Sequence, residues 1–276
     1  MRAILFTIVM PSLNAALYLE RALRSVINQA CEDTEVLVID GGSTDGSVEL
    51  IRCQEQHLAW WCSEHDGGQS AALNKGLTRA RGRYLLWLNA DDLLLPGTLS
   101  AARQYLSQHA ACDWLAGNLV YIDEQDRVLW CARDGGWHDW LYRQAPVRVY
   151  GPTSFFRRDL FEQVGGFDET LQYAMDTDLW LRFKAAGTRF ERLSHYCWAF
   201  RVHAGSRTTP DLFGRPDPRM AAEQMRIYQK NGLTVTWGGL WRQRLWRVVN
   251  GCYARAWYDT RRWRGNSVVR LNATAQ

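Results

Sequence analysis

The first third of the chain switches between two hydrophobic periods. Residues 4–9 form an apolar run with β-branched positions, which reads as a buried strand, and Pro11-Ser12-Leu13-Asn14 breaks it. Leu19, Ala22, Leu23, Val26, Ile27 and Ala30 then recur at i, i+3, i+4, i+7 spacing, the stripe of an amphipathic helix. Residues 35–39 predict a second strand. It opens into the polar loop 40–47, where Ser43 or Thr44 is placed to cap the following helix. Gln69, Ala72, Leu73, Gly76, Leu77 and Ala80 make another helical stripe, which Gly82 ends as a residue able to take positive φ. Residues 84–88 predict a buried strand running into Asn89-Ala90-Asp91-Asp92, and Pro96 marks the next helix start. Strand–helix alternation of this kind predicts parallel strands joined by right-handed crossovers, an α/β fold.

The middle third changes character. Residues 114–122 and 127–131 flank the turn Asp123-Glu124-Gln125-Asp126 and predict a hairpin. Helices are expected over 159–164, stopped by Gly165-Gly166, and over 176–186, stopped by Gly187, with a strand-rich stretch over 189–202. Pro210, Pro216 and Pro218 cluster in 208–218, which reads as a linker. Beyond it, Trp237, Trp241, Leu245, Val248, Cys252 and Ala256 fall on one helical stripe, and Trp246, Tyr253 and Trp257 on a second. Arg242, Arg244, Arg247, Arg255, Arg261, Arg262 and Arg264 are interspersed. Such an arc either packs on the preceding domain or lies on a membrane surface.

Composition narrows the class. The 276 residues are 47% hydrophobic and 22% charged, which excludes a disordered chain, and a net charge of +4 is too small to argue for a polynucleotide partner. The seven cysteines are odd in number and contain no C-x-x-C pair, so neither a disulfide framework nor a zinc site is expected. The N-terminal apolar run ends at Pro11 without a small-residue cleavage site, and no stretch approaches the roughly 18 apolar residues of a membrane span. The expected location is cytoplasmic, with the inner face of a membrane as the tail's alternative address.

Open parallel sheets bind ligands at the carboxyl ends of their strands. Asn14, Asp40 and the Asn89-Ala90-Asp91-Asp92 turn all stand at such ends. Carboxylates converging there need a cation to offset their repulsion, and hard oxygen ligands suit Mg²⁺ or Mn²⁺. An aspartate pair that merely caps the next helix is the alternative. Asp176-Thr177-Asp178 begins another helix, where acidic groups are also favoured by the helix dipole alone. No G-x-G-x-x-G follows the first strand, which removes a dinucleotide oxidoreductase from consideration.

Five segments, in order, carry a family resemblance: TIVMPSLNAALYLERALRSVINQ, VLVIDGGSTDGSVELI, DGGQSAALNKGL, ARGRYLLWLNADD and TSFFRRDLFEQVGGFDETLQYAMDTDLWLRF. Over roughly residues 5–205 the chain resembles the inverting family 2 glycosyltransferases of the GT-A fold. The resemblance implies a mostly parallel, Rossmann-like nucleotide-binding sheet. It assigns 1–110 to the nucleotide-sugar half, 111–207 to the acceptor and catalytic half, and 208–276 to a linker and helical tail. It implies a nucleotide-diphosphate sugar donor, with a UDP-sugar expected, a glycan or lipid-linked acceptor, and Mg²⁺ or Mn²⁺.

Carried over by position, Asp40 would meet the nucleobase or ribose, with Pro11 and Asn14 lining the same pocket. Asp66, Gln69 and Lys75 fall in the nucleotide-contacting segment, Lys75 as a point charge for phosphate. The family's Asp-x-Asp reads here as Asn89 and Asp91. Asp91 is thus the principal metal ligand, and Asn89 an uncharged ligand or a ribose contact. His203 in RVHAGS matches a late histidine that reaches the metal or diphosphate, and Asp176 matches the general base. If that helix starts near Asp178, Asp176 projects into the crevice and Asp178 bonds backbone N–H groups. Two readings compete with transfer: a catalytically weak sugar-nucleotide binder, prompted by Asn89, and a nucleic-acid module built on the Arg/Trp tail.

Overall fold

A computed structural model describes residues 3–133, 135–147, 149–206, 208 and 217–271. Its strands are β1 (Phe6–Ser12), β2 (Thr34–Asp40), β3 (Trp60–Ser63), β4 (Tyr84–Trp87), β5 (Leu93–Leu94), β6 (Trp114–Ile122), β7 (Val128–Ala132), β8 (Ser154–Arg157) and β9 (Phe190–Arg201). They form one sheet in the order β3-β2-β1-β4-β8-β6-β9-β5, with β7 paired to β6. The helices are α1 (Ala16–Ile27), α2 (Ser47–Cys53), α3 (Gln69–Leu77), α4 (Thr98–Gln108), α5 (Asp139–Tyr142), α6 (Arg158–Gln163), α7 (Met175–Ala185), α8 (Pro218–Lys230), α9 (Trp237–Val249) and α10 (Cys252–Trp263).

The β3-β2-β1-β4 half is parallel, as the alternation of periods predicts for β1, β2 and β4, with β3 added at the edge. The sheet then turns antiparallel at β4–β8 and β8–β6, becomes parallel again at β6–β9, and ends antiparallel at β9–β5. The two halves expected from the sequence therefore share one sheet, since β8 enters beside β4 and β5 pairs with β9. The hairpin formed by β6 and β7 is present, with Asp126 at φ 63 in its turn. Strands β3, β5 and β8 carry no sequence expectation. Each has four residues or fewer, too short for a period to register.

Three local expectations are corrected. β1 does not break at Pro11 but runs through it to Ser12, in register with β2. The Val9 carbonyl accepts from Leu88 on the β4 side, and the Ser12 carbonyl accepts from Gly41 on the β2 side. Pro11 thus faces the β4 side, where that strand has already ended at Trp87, so its missing N–H leaves no ladder partner unpaired. Gly82 does not end a helix through positive φ; α3 stops at Leu77. Glycine is required at 82 because a Cβ there would lie 2.5 Å from the Thr7 nitrogen in β1. Neither Ser43 nor Thr44 caps α2. Asp45 does the work nearby, its Oδ1 accepting from the Ser47 N–H and hydroxyl.

The proposed linker at 208–218 falls largely outside the described residues. Pro218 itself is the first residue of α8, with Asp217 accepting from the Arg219 N–H as its cap. The tail packs on the sheet. Cys252, Val268 and Leu271 are buried, Thr260 Oγ1 accepts from the Cys131 N–H, and Asp259 accepts from Arg133 and Tyr196. The long apolar stripe does not continue from α9 into α10, because the chain turns at Gly251 (φ 66). Cys252 is thereby buried while Trp237, Trp241 and Leu245 stay exposed.

Candidate active site

A crevice of about 590 Å³ opens at the carboxyl ends of β1 and β4. Of the residues singled out in the sequence, Pro11, Asn14, Asp66, Gln69, Asn89, Asp91 and His203 line it, and Asp40, Lys75 and Asp176 do not.

Its floor near β1 and β2 is knitted by side chains bonding backbone. Asn14 takes φ 49, a conformation asparagine tolerates better than most residues. It accepts from the Thr44 N–H through Oδ1, while its own N–H donates to Ser43 Oγ. Asp40 is fully buried. Its carboxylate accepts from the Gly42 and Ser43 N–H groups and from the hydroxyls of Ser43 and Ser63. In this arrangement Asp40 shapes the loop rather than facing the crevice. Asp66 accepts from the Gly68 N–H and approaches so close to Gly41 that a Cβ there would lie 3.2 Å from its Oδ2. Gly68 at φ 107 permits the turn into α3. Lys75 is ion-paired with Glu64.

The acidic turn after β4 is held from several directions. Gln69 Nε2 donates to Asn89 Oδ1 (2.8 Å), and Asn89 Nδ2 donates to Asp92 Oδ2 (3.1 Å). Asp92 is buried and also accepts from the Arg201 N–H at 2.8 Å. Burial, and then the neighbouring Asp91 charge, push its carboxyl well above the usual carboxylate range. Arg201 is fully buried at the end of β9. It donates through Nε to the Asp91 carbonyl, through a terminal nitrogen to the Asp123 carbonyl, and ion-pairs with Asp126. Two residues on, His203 Nε2 reaches Asp91 Oδ2 at 3.1 Å. Tyr18 on α1 contacts both, its ring 4.9 Å from the His203 ring and 4.7 Å from the Arg201 guanidinium.

Asp176 lies beside this crevice. Helix α7 starts at Met175, one residue before the 176–186 span expected and three before the start near Asp178 from which Asp176 would project, so Asp176 and Asp178 both occupy its first turn. Ser70 donates to Met175 Sδ and to the Leu171 carbonyl, which seats the α7 start against the α3 start, where Gln69 faces the crevice. Asp176 Oδ1 accepts from the Thr177 N–H, and its Oδ2 lies at the surface of Gly151, where a Cβ would be 3.3 Å away and would collide with Trp87. The surroundings are aromatic: Trp87 stacks on Trp180, and Trp180 on Trp114. Burial raises the Asp176 carboxyl to about 6. Asp178 behaves differently from expectation. It is buried and bonded to Arg182 Nε at 2.8 Å, with Lys230 at 4.0 Å, so its partners are cations rather than backbone N–H groups.

Three contributors escaped the sequence reading. Glu223 on α8 accepts from the N–H groups of Gln172, Tyr173 and Ala174, and so fixes the chain entering α7. Tyr18 and Arg201 hold His203 and the acidic turn. An arginine closing the otherwise apolar stretch Tyr196-Cys197-Trp198-Ala199-Phe200 was the available signal for Arg201; Glu223 gave none, because its partners lie about fifty residues away.

As to a divalent ion, one carboxylate oxygen and one imidazole nitrogen 3.1 Å apart suit adjacent positions around a single ion. Two ligands at about 2.1 Å and a right angle stand about 3 Å from each other. Among the described residues no group of three or more His, Cys, Asp or Glu gathers to hold a metal. The pair therefore fits an ion whose remaining ligands are substrate phosphate and water.

The family model described as glycosyl transferase family 2 matches residues 7–165. A PGL/p-HBAD biosynthesis glycosyltransferase of Mycobacterium bovis is 30% identical over 186 residues, covering 66% of this chain and 70% of its own. An uncharacterised glycosyltransferase of Rickettsia prowazekii is 27% identical over 216 residues, covering 75% and 67%. Among solved structures, a Pyrobaculum calidifontis mannosyltransferase in complex with GDP-Man and Mn²⁺ aligns with TM-score 0.63 at 21% identity, over 98% of this chain and 79% of its own. S. aureus TarS in complex with UDP-GlcNAc aligns with TM-score 0.61 at 20% identity, over 75% of this chain and 61% of its own. At these identities the two structures speak for the GT-A fold alone.

Proposed function

The chain belongs to glycosyl transferase family 2, and we propose that it transfers a sugar from a nucleotide-diphosphate donor to an acceptor hydroxyl with inversion at the anomeric carbon. The observation that carries this reading is the convergence of Gln69, Asn89, Asp91 and His203 on one crevice at the carboxyl ends of parallel strands. Pro11, Asn14 and Asp66 line the donor's base and ribose end of that crevice. Asp40 acts through the loop it organises, and Lys75, neutralised by Glu64 outside the crevice, is left without a phosphate contact. Residues 1–110 then supply the donor side and 111–207 the acceptor side of the shared sheet.

Asp91 and His203 would hold a Mg²⁺ or Mn²⁺ ion, which supplies charge to offset the departing nucleoside diphosphate. Asp176 takes the acceptor proton as the hydroxyl attacks the face of the anomeric carbon opposite the leaving group. Its raised pKa makes it a stronger base than an exposed aspartate, yet leaves it ionised at neutral pH. A single displacement needs no covalent enzyme intermediate, so no nucleophilic side chain is called for. UDP-sugars are the first donors to try, and a glycan or lipid-linked hydroxyl the acceptor class.

The test is a panel of UDP- and GDP-sugars scored by thermal shift with and without Mn²⁺, followed by hydrolysis of the best binder. A bound ligand raises apparent stability by about 2.7 kcal/mol at 100-fold over Kd. If no nucleotide sugar shifts the melting temperature or is turned over, the reading fails. A second reading, a donor binder of weak activity, is favoured by Asn89: both ends of its amide are engaged by Gln69 and Asp92, leaving Asp91 as the carboxylate of the pair with His203. Binding without turnover would select it.

A further inference from the structure

The C-terminal helices bury only part of their apolar surface. On α9 the inward side carries the half-buried Trp246, packed on His138, together with small and polar groups: a Cβ at Gly239 would overlap the Gln144 carbonyl, Gln243 Nε2 donates to the Pro146 carbonyl, and Arg247 donates to the Arg133 carbonyl. The opposite arc carries Trp237 (80% exposed), Trp241 (64%), Leu245 (62%) and Val249 (72%). On α10 Cys252, Asp259, Thr260 and the half-buried Trp263 face inward, and Tyr253, Trp257 and Tyr258 face outward. A helix packed only for stability buries its apolar arc. Here the pair is seated largely by polar contacts and leaves these aromatic and aliphatic side chains exposed, which marks an interaction surface.

Charge identifies the occupant. Arg242, Arg244, Arg255, Arg261, Arg262 and Arg264 are exposed on or beside this face. The one acidic residue between 237 and 264, Asp259, is turned inward to Arg133 and Tyr196. Arg244 and Arg261 lie over the exposed rings of Trp241 and Trp257, at 5.8 and 5.5 Å. We propose that the outer face of α9 and α10 docks this protein on an anionic lipid bilayer. Indole and guanidinium groups would sit at the headgroup level, with Leu245, Val248 and Val249 reaching the acyl boundary. A second copy of the chain fits poorly, since a two-fold contact would set arginine against arginine. A polynucleotide would engage the tryptophans and arginines but leave most of Leu245, Val248 and Val249 in water. The helix that meets lipid rests on residues 144–146, and the same segment continues to Gly151 against Asp176.

The surface stands apart from the donor reading, and its test needs no sugar transfer. The full chain is sedimented with vesicles of phosphatidylcholine alone or mixed with phosphatidylglycerol, at low and high salt. Expected is binding to the mixed vesicles, weakened by salt, and little to phosphatidylcholine. Replacing Trp241→Gln, Leu245→Gln and Trp257→Gln together abolishes binding with the melting temperature unchanged, because all three are exposed. Arg242→Gln with Arg244→Gln and Arg261→Gln lowers partitioning on the order of 100-fold, and this set decides the matter if the first fails to fold. The proposal is overturned if the wild type stays in solution with anionic vesicles or binds both compositions equally. It is also overturned if sedimentation velocity shows a dimer that Trp241→Gln dissolves.

Discussion

His203 Nε2 stands 3.1 Å from Asp91 Oδ2 although 112 residues separate them in the chain. The contact joins the turn after β4 to the end of β9, and it forms because Arg201 pins both: its N–H binds Asp92 and its Nε the Asp91 carbonyl. Tyr18 then closes over the pair. One buried arginine thus sets the spacing of the two groups offered to a divalent ion.

Asp91→Ala should abolish transfer and remove the Mn²⁺-dependent part of donor binding, with His203→Ala weakening the same component less. Calorimetry of the donor with and without Mn²⁺ reads this directly. Donor affinity that still responds to Mn²⁺ in Asp91→Ala would contradict the assignment.

Asp176 and Asp178 should separate cleanly. Asp176→Asn is expected to lower turnover by about 10²–10⁴-fold with donor binding nearly intact, since the base acts on the acceptor proton. Its melting temperature should not fall, because asparagine keeps the shape and removes a buried charge. Asp178→Asn breaks a buried ion pair with Arg182 and should cost about 1–3 kcal/mol. Turnover and melting temperature are measured for both. Loss of turnover in Asp178→Asn with stability retained, alongside an active Asp176→Asn, would reverse the roles.

The pH profile follows from the same carboxyl. Burial raises Asp176 to about 6, so kcat/KM at fixed metal should climb as pH rises through about 6 and level off above it. The stability linkage has the opposite sense. The folded pKa exceeds the unfolded one, so the folded state holds the proton more tightly. Its contribution is full below about pH 3.9 and is lost as pH rises through about 6. Asp176→Asn should remove both dependences, and an unchanged activity profile in that variant would assign the titration elsewhere.

Glu223→Gln tests whether α8 positions the base. Glu223 collects three N–H groups at the entrance to α7, and losing its charge should cost about 1–2 kcal/mol. If the entrance also sets the aim of Asp176, kcat drops several-fold while donor affinity holds. A fall in melting temperature with kcat untouched would restrict Glu223 to stability.

The sequence by itself determined β1, β2 and β4 of the parallel half of the sheet and pointed to a crevice at their carboxyl ends. Runs such as Tyr84–Trp87 and stripes such as that of α1 are local, and their periods follow from backbone geometry alone. The order of five segments likewise identified the family and placed Asn89 and Asp91 at one strand end, and a separate match at RVHAGS pointed His203 to the same place. What it did not determine depends on neighbours remote in the chain. Pro11 stays in a strand because β4 ends beside it, Gly82 is glycine because β1 passes within reach, and Asp178 meets Arg182 and Lys230 rather than backbone N–H groups. The tail is the sharpest case. A helical stripe records which residues share a face, but which face turns inward is settled by what it meets. The carbonyls of Arg133, Gln144 and Pro146 take up polar and small residues beside Trp246, so Trp237, Trp241 and Trp257 are left outside.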